Sequence, residues 1–141
     1  MTDAPVLDDG EVVVPLGPEL LFRQVHPSWV QAGVPTTQAF RPTAKDDGKL
    51  SVSREARVTA RDSYEHHTSA LGLASAGVWA VSVDEAHHAE RRVVDDSGCN
   101  GVDTPGHAYA DFRGASSGSQ RLAAATLRER ACARGCVHPP T

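Results

Sequence analysis

Two residues with the chemistry of an anion site, Arg23 and His26, stand three positions apart near the start of the chain. Arg23 lies in a strand-like run, on the same face as Leu21 and Val25 if the run alternates. A guanidinium among apolar side chains costs free energy unless it meets a partner or the mouth of a pocket. Two interpretations stay open. Arg23 and His26 bind a phosphate or carboxylate beside the helical turn that begins at Pro27, or Arg23 is structural and binds carbonyl oxygens or an acidic side chain.

A third candidate, His107, stands at the entrance of a later strand, with Asp111 on the same strand face. A histidine at such a position can act as a general base, and it can equally be a structural hydrogen-bonding residue. Trp29 lies on an irregular segment beside Arg23. It is predicted to form a pocket wall, whereas the other large aromatic side chains are core anchors.

The cysteines and the C-terminal histidine define an alternative metal site. Cys132 and Cys136 are four residues apart and His138 follows them, so with another ligand they could hold zinc in tetrahedral geometry. The spacing lacks the usual two-residue knuckle, and Gly135 is predicted to end a helix between the two cysteines. The sequence therefore predicts no metal site, with zinc at these residues as the alternative.

Two adjacent histidine pairs also invite a metal interpretation, His66–His67 and His87–His88. Neighbouring residues on a helix do not face each other, so each pair offers one ligand to a given site. No motif of the HExxH type is present. Both pairs are therefore predicted to be solvated histidines on helix faces.

Length, composition and charge narrow the class of protein. The chain has 141 residues with 40% hydrophobic residues and 5% aromatic residues, which fits one domain with a core of Val, Leu and Ala. A net charge of −4 argues against general nucleic-acid binding, which needs a basic face. No apolar run is long enough for a membrane helix, and the acidic N-terminus does not resemble a secretory signal. We expect a cytoplasmic protein with reduced thiols and no membrane partner.

The predicted elements alternate between strands and helices. Strands are predicted near residues 20–25, 50–53, 77–83 and 107–112, with the apolar run 77–83 in the centre of the sheet. The longer helices are predicted at 59–71 and 119–134, and a short polar helix lies between them at 84–91. The fold class is therefore α+β or α/β: a single small mixed or antiparallel sheet covered by two or three helices. Residues 1–10 are predicted to be a flexible acidic tail, 11–135 the globular domain and 136–141 a C-terminal tail.

One resemblance covers roughly residues 20–112. The chain resembles a family of short uncharacterised bacterial proteins in its LxRxxHP, TxAFR, LSV and PxHA motifs. Here these are Leu21-x-Arg23-x-x-His26-Pro27, Thr37-x-Ala39-Phe40-Arg41, Leu50-Ser51-Val52 and Pro105-x-His107-Ala108. The resemblance implies a stand-alone bacterial domain and no particular activity.

A weaker resemblance implies chemistry. Small ADP-ribosyltransferase-like domains, including the RES toxins that consume NAD, carry an arginine on the first strand, a polar residue on a later strand and a glutamate on a helix. Arg23, Ser51 (or Ser53) and Glu65 follow that order here. The resemblance implies NAD as cofactor, Ser51 as a ligand contact and Glu65 as the catalytic carboxylate. The glycine-rich GGRW stretch of the RES family is absent.

Together these observations predict a stand-alone cytosolic binding or accessory domain with an anion-accepting pocket near Arg23 and His26. The partner would be another protein or a small anionic ligand, and no cofactor is firmly predicted. The alternative is an NAD-consuming enzyme of the ADP-ribosyltransferase type, and the third hypothesis is a zinc-stabilised domain.

Overall fold

The computed structural model describes residues 5–141 and confirms an α+β fold. Its main sheet has six strands among these residues, and every pairing is antiparallel, which excludes the α/β alternative. The strands are β1 (Val12–Val13), β2 (Leu20–Gln24), β3 (Val30–Gln31), β4 (Val34–Pro35), β5 (Lys49–Arg54), β6 (Val78–Ser82), β7 (Val93–Asp95) and β8 (His107–Asp111), of which β3 and β4 form a separate hairpin. The α-helices are α1 (Ala60–Glu65), α2 (Val83–His88) and α3 (Ser117–Arg134), with a π-helical turn at His66–Ala70 and 3₁₀ turns at Pro27–Trp29, Thr37–Phe40 and Ala44–Asp46. No helix within residues 5–141 has the length and apolarity to cross a bilayer.

The two faces of the sheet carry separate cores, as the alternation along β2 predicts. Leu21 and Val25 pack in the larger cluster with Leu127 of α3, and all three side chains are fully buried. Phe22 points to the other face and packs in a smaller cluster with Tyr64 of α1. Helices therefore pack on both faces of the sheet, although Ser51 of the inner strand β5 stays exposed.

The sequence predicts strand β6 in the centre of the sheet, and this prediction is wrong. In the structure β6 lies at one end of the strand order β1-β7-β8-β5-β2-β6. It is nevertheless buried along its whole length. The C-terminal segment covers its outer edge, where the Val78 N–H donates to the His138 carbonyl at 2.9 Å and the Val137 N–H donates to the Val78 carbonyl at 2.8 Å. A strand that is apolar on both faces is therefore predicted to be buried, but not necessarily central, because a covering segment can bury an edge strand as a neighbouring strand would.

The two predicted tails make specific contacts. Besides its hydrogen bonds to β6, the C-terminal segment places the His138 ring 5.0 Å from the ring of Tyr64. At the N-terminal end, Arg92 Nη2 donates to the Pro5 carbonyl at 2.6 Å. Residues 136–141 are therefore part of the packed structure, and residue 5 is tied to it. Residues 1–4 of the predicted N-terminal tail lie outside the described residues.

The sheet opens between β2 and β5. The two strands pair only at Leu21 with Arg54 and at Phe22 with Ser53, although both continue beyond these pairs. This register would next pair Arg23 with Val52 and then Gln24 with Ser51, and neither pair is formed. Beyond Phe22, β2 stays with β6 while β5 stays with β8. This opening places side chains of both strands around a cleft.

Candidate functional site

A cleft of about 550 Å³ lies at the opening between β2 and β5. This volume is within the range of sites that hold small molecules. Its walls come from the two strands, the 3₁₀ turn before β3, the turn around Asp46, the π-helical segment and the start of β8. The polar residues that line it are Arg23, Gln24, His26, Thr43, Lys45, Asp46, Ser51, Ser53, Ser63, His66, His67, Thr104 and His107.

Arg23 forms the floor of the cleft and bridges the opening. Its Nε donates to the Ala39 carbonyl at 2.8 Å and its Nη1 to the Ser51 carbonyl at 3.0 Å. Burial lowers the pKa of Arg23 to about 10, and the negative charge of Asp46 opposes that shift. The side chain is therefore charged at neutral pH. Within residues 5–141, no carboxylate lies at ion-pair distance from it.

The backbone geometry of β5 directs one more polar group into the opening. A strand residue points its N–H and its carbonyl toward the same neighbouring strand. Because the Ser51 carbonyl accepts from Arg23 across the opening, the Ser51 N–H faces the same space. Ser51 is exposed although β5 is an inner strand, which follows from the missing pair with Gln24.

His26 and Trp29 form the rim above Arg23. The Nδ1 of His26 accepts from the Ser28 N–H at 3.1 Å and caps the 3₁₀ turn that begins at Pro27. This bond occupies the Ser28 N–H, so that group at the start of the turn is not free for an anion. It also fixes the neutral tautomer with the proton on Nε2, so His26 presents a donor on its other edge. The Trp29 ring lies 5.4 Å from the Arg23 guanidinium carbon, as a cation–π wall.

The two histidines of the π-helical segment both line the cleft, contrary to their predicted place on a solvated helix face. The widening of the helix is visible in the bond from the Leu71 N–H to the His66 carbonyl, at 3.0 Å. A wider turn reduces the angle between consecutive side chains, so both rings turn inward. The Nε2 of His66 is buried and has no hydrogen-bond partner among the described residues. Burial lowers the pKa of His67, although a contact of its Nε2 with the Ala74 carbonyl, at 3.3 Å, opposes the shift.

His107 enters the cleft from the opposite side, paired with a carboxylate that sequence analysis does not identify. Its Nδ1 lies 2.6 Å from Asp96 Oδ1, and about one fifth of the His107 side chain is exposed. The predicted neighbour Asp111 is instead bound to Arg92 and Arg113. A carboxylate at this distance holds the proton on Nδ1 and leaves Nε2 as the basic nitrogen.

A chain of side-chain hydrogen bonds ends beside His107. Ser75 donates to Gln24 Oε1 at 2.9 Å, and Gln24 Nε2 donates to Ser63 Oγ at 2.8 Å. Ser63 Oγ then donates to Ser53 Oγ at 3.3 Å. Ser53 is directly opposite His107 in the pairing of β5 with β8, and both line the cleft.

Glu65 does not join this site. It lies at the end of α1, about half exposed, where its Oε1 accepts from Arg61 Nε at 2.9 Å, and it is not among the lining residues. This placement gives its carboxylate no contact with a ligand in the cleft, because it faces the opposite side of the helix. The only carboxylate among the described lining residues is that of Asp46. Asp46 Oδ2 accepts from the Thr43 N–H and hydroxyl, both at 2.7 Å.

The structure does not bring together the residues of the alternative zinc site, Cys132, Cys136 and His138. Cys132 Sγ lies near the Pro35 carbonyl, whereas Cys136 Sγ is 3.2 Å from the His138 carbonyl at the other end of the segment. Across residues 5–141, no group of three histidine, cysteine or carboxylate side chains has metal-binding geometry.

Comparison of the chain with protein-family models, curated proteins and solved structures gives no match. Both resemblances described above therefore stay predictions.

Proposed function

We propose that the protein binds a small molecule in this cleft through an anionic group, with Arg23 as the counter-charge. The observation that carries the proposal is a partly buried, charged guanidinium without a carboxylate partner among the described residues. A guanidinium has five N–H donors, and the two bonds to carbonyl oxygens leave three for a ligand. A carboxylate or phosphate would supply the missing charge in the bidentate geometry that arginine favours.

Other lining groups support an anion in preference to a cation. Lys45 adds a second positive charge against the single negative charge of Asp46. The orphaned Nε2 of His66 is a buried polar atom that a ligand could satisfy. His26 and the Ser51 N–H contribute further donors at the two ends of the opening.

The apolar part of the wall indicates the rest of the ligand. Phe22, Trp29, Leu71 and Leu73 line the same cleft. Leu71 and Leu73 are about half exposed, at 49% and 51%, so an apolar group resting on them would remove their surface from water. The volume and this composition favour a small amphiphilic ligand with an anionic end over a partner protein.

Calorimetric titration with three probes tests the proposal: inorganic phosphate, phenyl phosphate and the neutral analogue benzyl alcohol. We expect phenyl phosphate to bind most tightly, because it offers both the anion and a flat apolar group. Arg23→Met should weaken binding of phenyl phosphate about 10-fold or more, the equivalent of one lost charge-assisted hydrogen bond. Arg61→Met is the matched control, because Arg61 is exposed on α1. Equal binding of the neutral probe, or unchanged binding by Arg23→Met, would contradict the proposal.

A second candidate is an NAD-consuming enzyme of the ADP-ribosyltransferase type. The observation in its favour is that Arg23 and Ser51, which the resemblance assigns to NAD binding, meet across the opening of the sheet. In this function Arg23 would hold a phosphate or ribose of NAD, and Asp46 would have to supply the carboxylate in place of Glu65. Release of nicotinamide from NAD, lost in Asp46→Asn and kept in Glu65→Gln, would support it. Binding of phenyl phosphate without any turnover of NAD would leave only the binding function.

A further inference from the structure

We propose that Ser53, His107 and Asp96 form a nucleophile, base and orienting carboxylate that hydrolyse esters of anionic acids in this cleft. This hypothesis rests on the proposed anion site only for the class of substrate. Its chemistry comes from a separate group of residues at the β5–β8 end of the cleft.

The position of Ser53 in the cleft identifies it as the nucleophile. Its Oγ lies 3.3 Å from Ser63 Oγ, and Ser63 Oγ also accepts from Gln24 Nε2 at 2.8 Å. A hydroxyl carries one proton and two lone pairs, so Ser53 can accept from Ser63 and turn its own proton to another acceptor. Ser53 is buried at 7% exposure and lines the cleft directly opposite His107.

The acceptor that matches it is His107 Nε2. With Nδ1 donating to Asp96, Nε2 carries the lone pair, and no residue in 5–141 occupies it. Residues directly opposite in an antiparallel pair have Cβ atoms about 5 Å apart, and Ser53 is opposite His107. The two share no hydrogen bond among the described residues, but at this separation rotation of the serine side chain about χ1 can bring its hydroxyl toward the ring. Contacts between nucleophile and base commonly shorten only when substrate binds.

The reaction follows from these positions. Ser53 Oγ attacks the carbonyl carbon of the ester while its proton moves to His107 Nε2. The carbon–oxygen bond to the alcohol then breaks, and the departing oxygen takes the proton from His107. Water attacks the acyl-serine, giving its proton to Nε2, and the Ser53 oxygen leaves and recovers that proton. The net products are the acid and the alcohol, and Asp96 remains ionised because it only holds Nδ1–H.

Arg23 would set the substrate class. A carboxylate on the acyl group, bound to Arg23 on the floor of the same cleft, would place the ester carbonyl toward the β5–β8 end. A monoester of a dicarboxylic acid has this arrangement. A neutral ester lacks the anchor and should react more slowly at equal concentration.

Two measurements on the full-length protein test the hypothesis. A fluorophosphonate probe should label the wild type at Ser53, located by mass spectrometry of the digested protein, with loss of fluoride. Mono-4-nitrophenyl succinate should be hydrolysed faster than 4-nitrophenyl acetate. Ser53→Ala and His107→Asn should each lower the rate by about 100-fold or more. Ser69→Ala and His88→Asn, both exposed positions outside the cleft, are the matched controls and should retain full activity.

Asp96 is a positioning residue, so its test needs more than loss of rate. Asp96→Asn should reverse the tautomer of His107, which removes the basic nitrogen from the cleft. The pH–rate profile of this variant should lose the limb that depends on His107. An unchanged profile would show that Asp96 has only a structural role and would overturn the proposed relay.

The outcomes also separate this hypothesis from the proposed binding function. Phenyl phosphate binding with neither labelling of Ser53 nor ester hydrolysis would overturn the Ser53–His107–Asp96 assignment and leave the anion site intact. Labelling of Ser53 with no preference for the succinate ester, and no binding of phenyl phosphate, would sustain the nucleophile and overturn the anion site. Because labelling is measured on the wild type, the assignment stays falsifiable even if Ser53→Ala does not fold.

Discussion

Replacing each of two partly buried arginines with methionine should change the free energy of unfolding by different amounts, because within residues 5–141 Arg54 has carboxylate partners and Arg23 has none. Arg54 binds Glu19 through Nε and Nη2, at 3.1 and 2.9 Å, and Asp95 through Nη1 at 2.7 Å. Arg54→Met leaves the Asp95 carboxylate, 9% exposed, without its cation. Loss of one partner from such a pair costs about 3–5 kcal/mol of the free energy of unfolding.

At Arg23 the free-energy cost of keeping the guanidinium charged is close to the free energy that its hydrogen bonds contribute. Burial lowers its pKa from the ordinary arginine value to about 10, so keeping the guanidinium charged in the fold costs about 3 kcal/mol. Its two hydrogen bonds to carbonyl oxygens return about 3–6 kcal/mol if each contributes as a charge-assisted bond. In Arg23→Met the cost and the bonds disappear together, and water entering the cleft can satisfy both carbonyls. We expect a change within about 2 kcal/mol, smaller than that of Arg54→Met.

Urea unfolding followed by tryptophan fluorescence measures both variants, with and without phenyl phosphate. At a concentration of 100 times its dissociation constant, the ligand should stabilise the wild type and Arg54→Met by about 2.7 kcal/mol. Arg23→Met should gain much less at the same concentration. The reasoning is refuted if Arg23→Met loses as much stability as Arg54→Met while the wild type gains nothing from phenyl phosphate. Arg23 would then belong to the scaffold.

Two further predictions concern pH and the C-terminus. Because burial lowers the pKa of His67 below its ordinary value of 6.5, the unfolded chain binds that proton more readily. Stability should therefore decline as pH falls from about 7 to 5, and His67→Gln should reduce the decline in urea midpoints measured across this window; an identical slope in the variant would exclude His67 as the cause. Removing residues 136–141 deletes three backbone hydrogen bonds at Val78, the packing of Val137 and the His138–Tyr64 contact. We expect a loss of about 2–3 kcal/mol in thermal or urea unfolding, whereas an unchanged midpoint would show that the segment does not stabilise the sheet.

Local patterns predict the fold well where a single segment carries the signal. The alternation along residues 20–25 correctly separates Leu21 from Phe22, since neighbouring strand residues point to opposite faces. The short polar helix predicted at 84–91 likewise forms, as α2, and a capping box of Ser82 and Glu85 begins it. The same patterns do not reveal β7, because Val93–Asp95 is short and surrounded by turn residues. Its pairing with β1 and β8 depends on segments far apart in the chain.

In the candidate site, too, the residues marked by their own segment are predictable and the contacts between distant segments are not. Arg23, His26, Trp29, Ser51 and His107 all line the cleft that the structure contains. Each stands out by its chemistry within its own segment. Asp96 could not be assigned to His107 from sequence, because its side chain reaches His107 only through the packing of the loop after β7 against β8.

The prediction of a solvated helix face for His66 and His67 is wrong for a different physical reason. The positions of the His66 and His67 side chains are predicted from the periodicity of a regular α-helix. The π-helical turn begins at His66 and changes that periodicity for both residues. Glu65, the last residue before this turn, stays on the outer side with Arg61. A single widened turn therefore moves the histidines into the cleft and leaves the glutamate outside it.

The cleft exists because β2 and β5 stop pairing, and the energetics of that opening argue for a ligand. Continuing the register would have joined Gln24 to Ser51. The protein replaces part of this pair with side chains, since Arg23 binds the Ser51 carbonyl and the Gln24 side chain binds Ser63. These replacements leave unused donors on Arg23, and the Ser51 N–H faces the opening. A sheet that only needed stability would close at this point with two backbone hydrogen bonds and no buried charge. An anion that bridges Arg23 and the Ser51 N–H would satisfy the groups that the opening exposes, which is the arrangement that the phenyl phosphate titration tests.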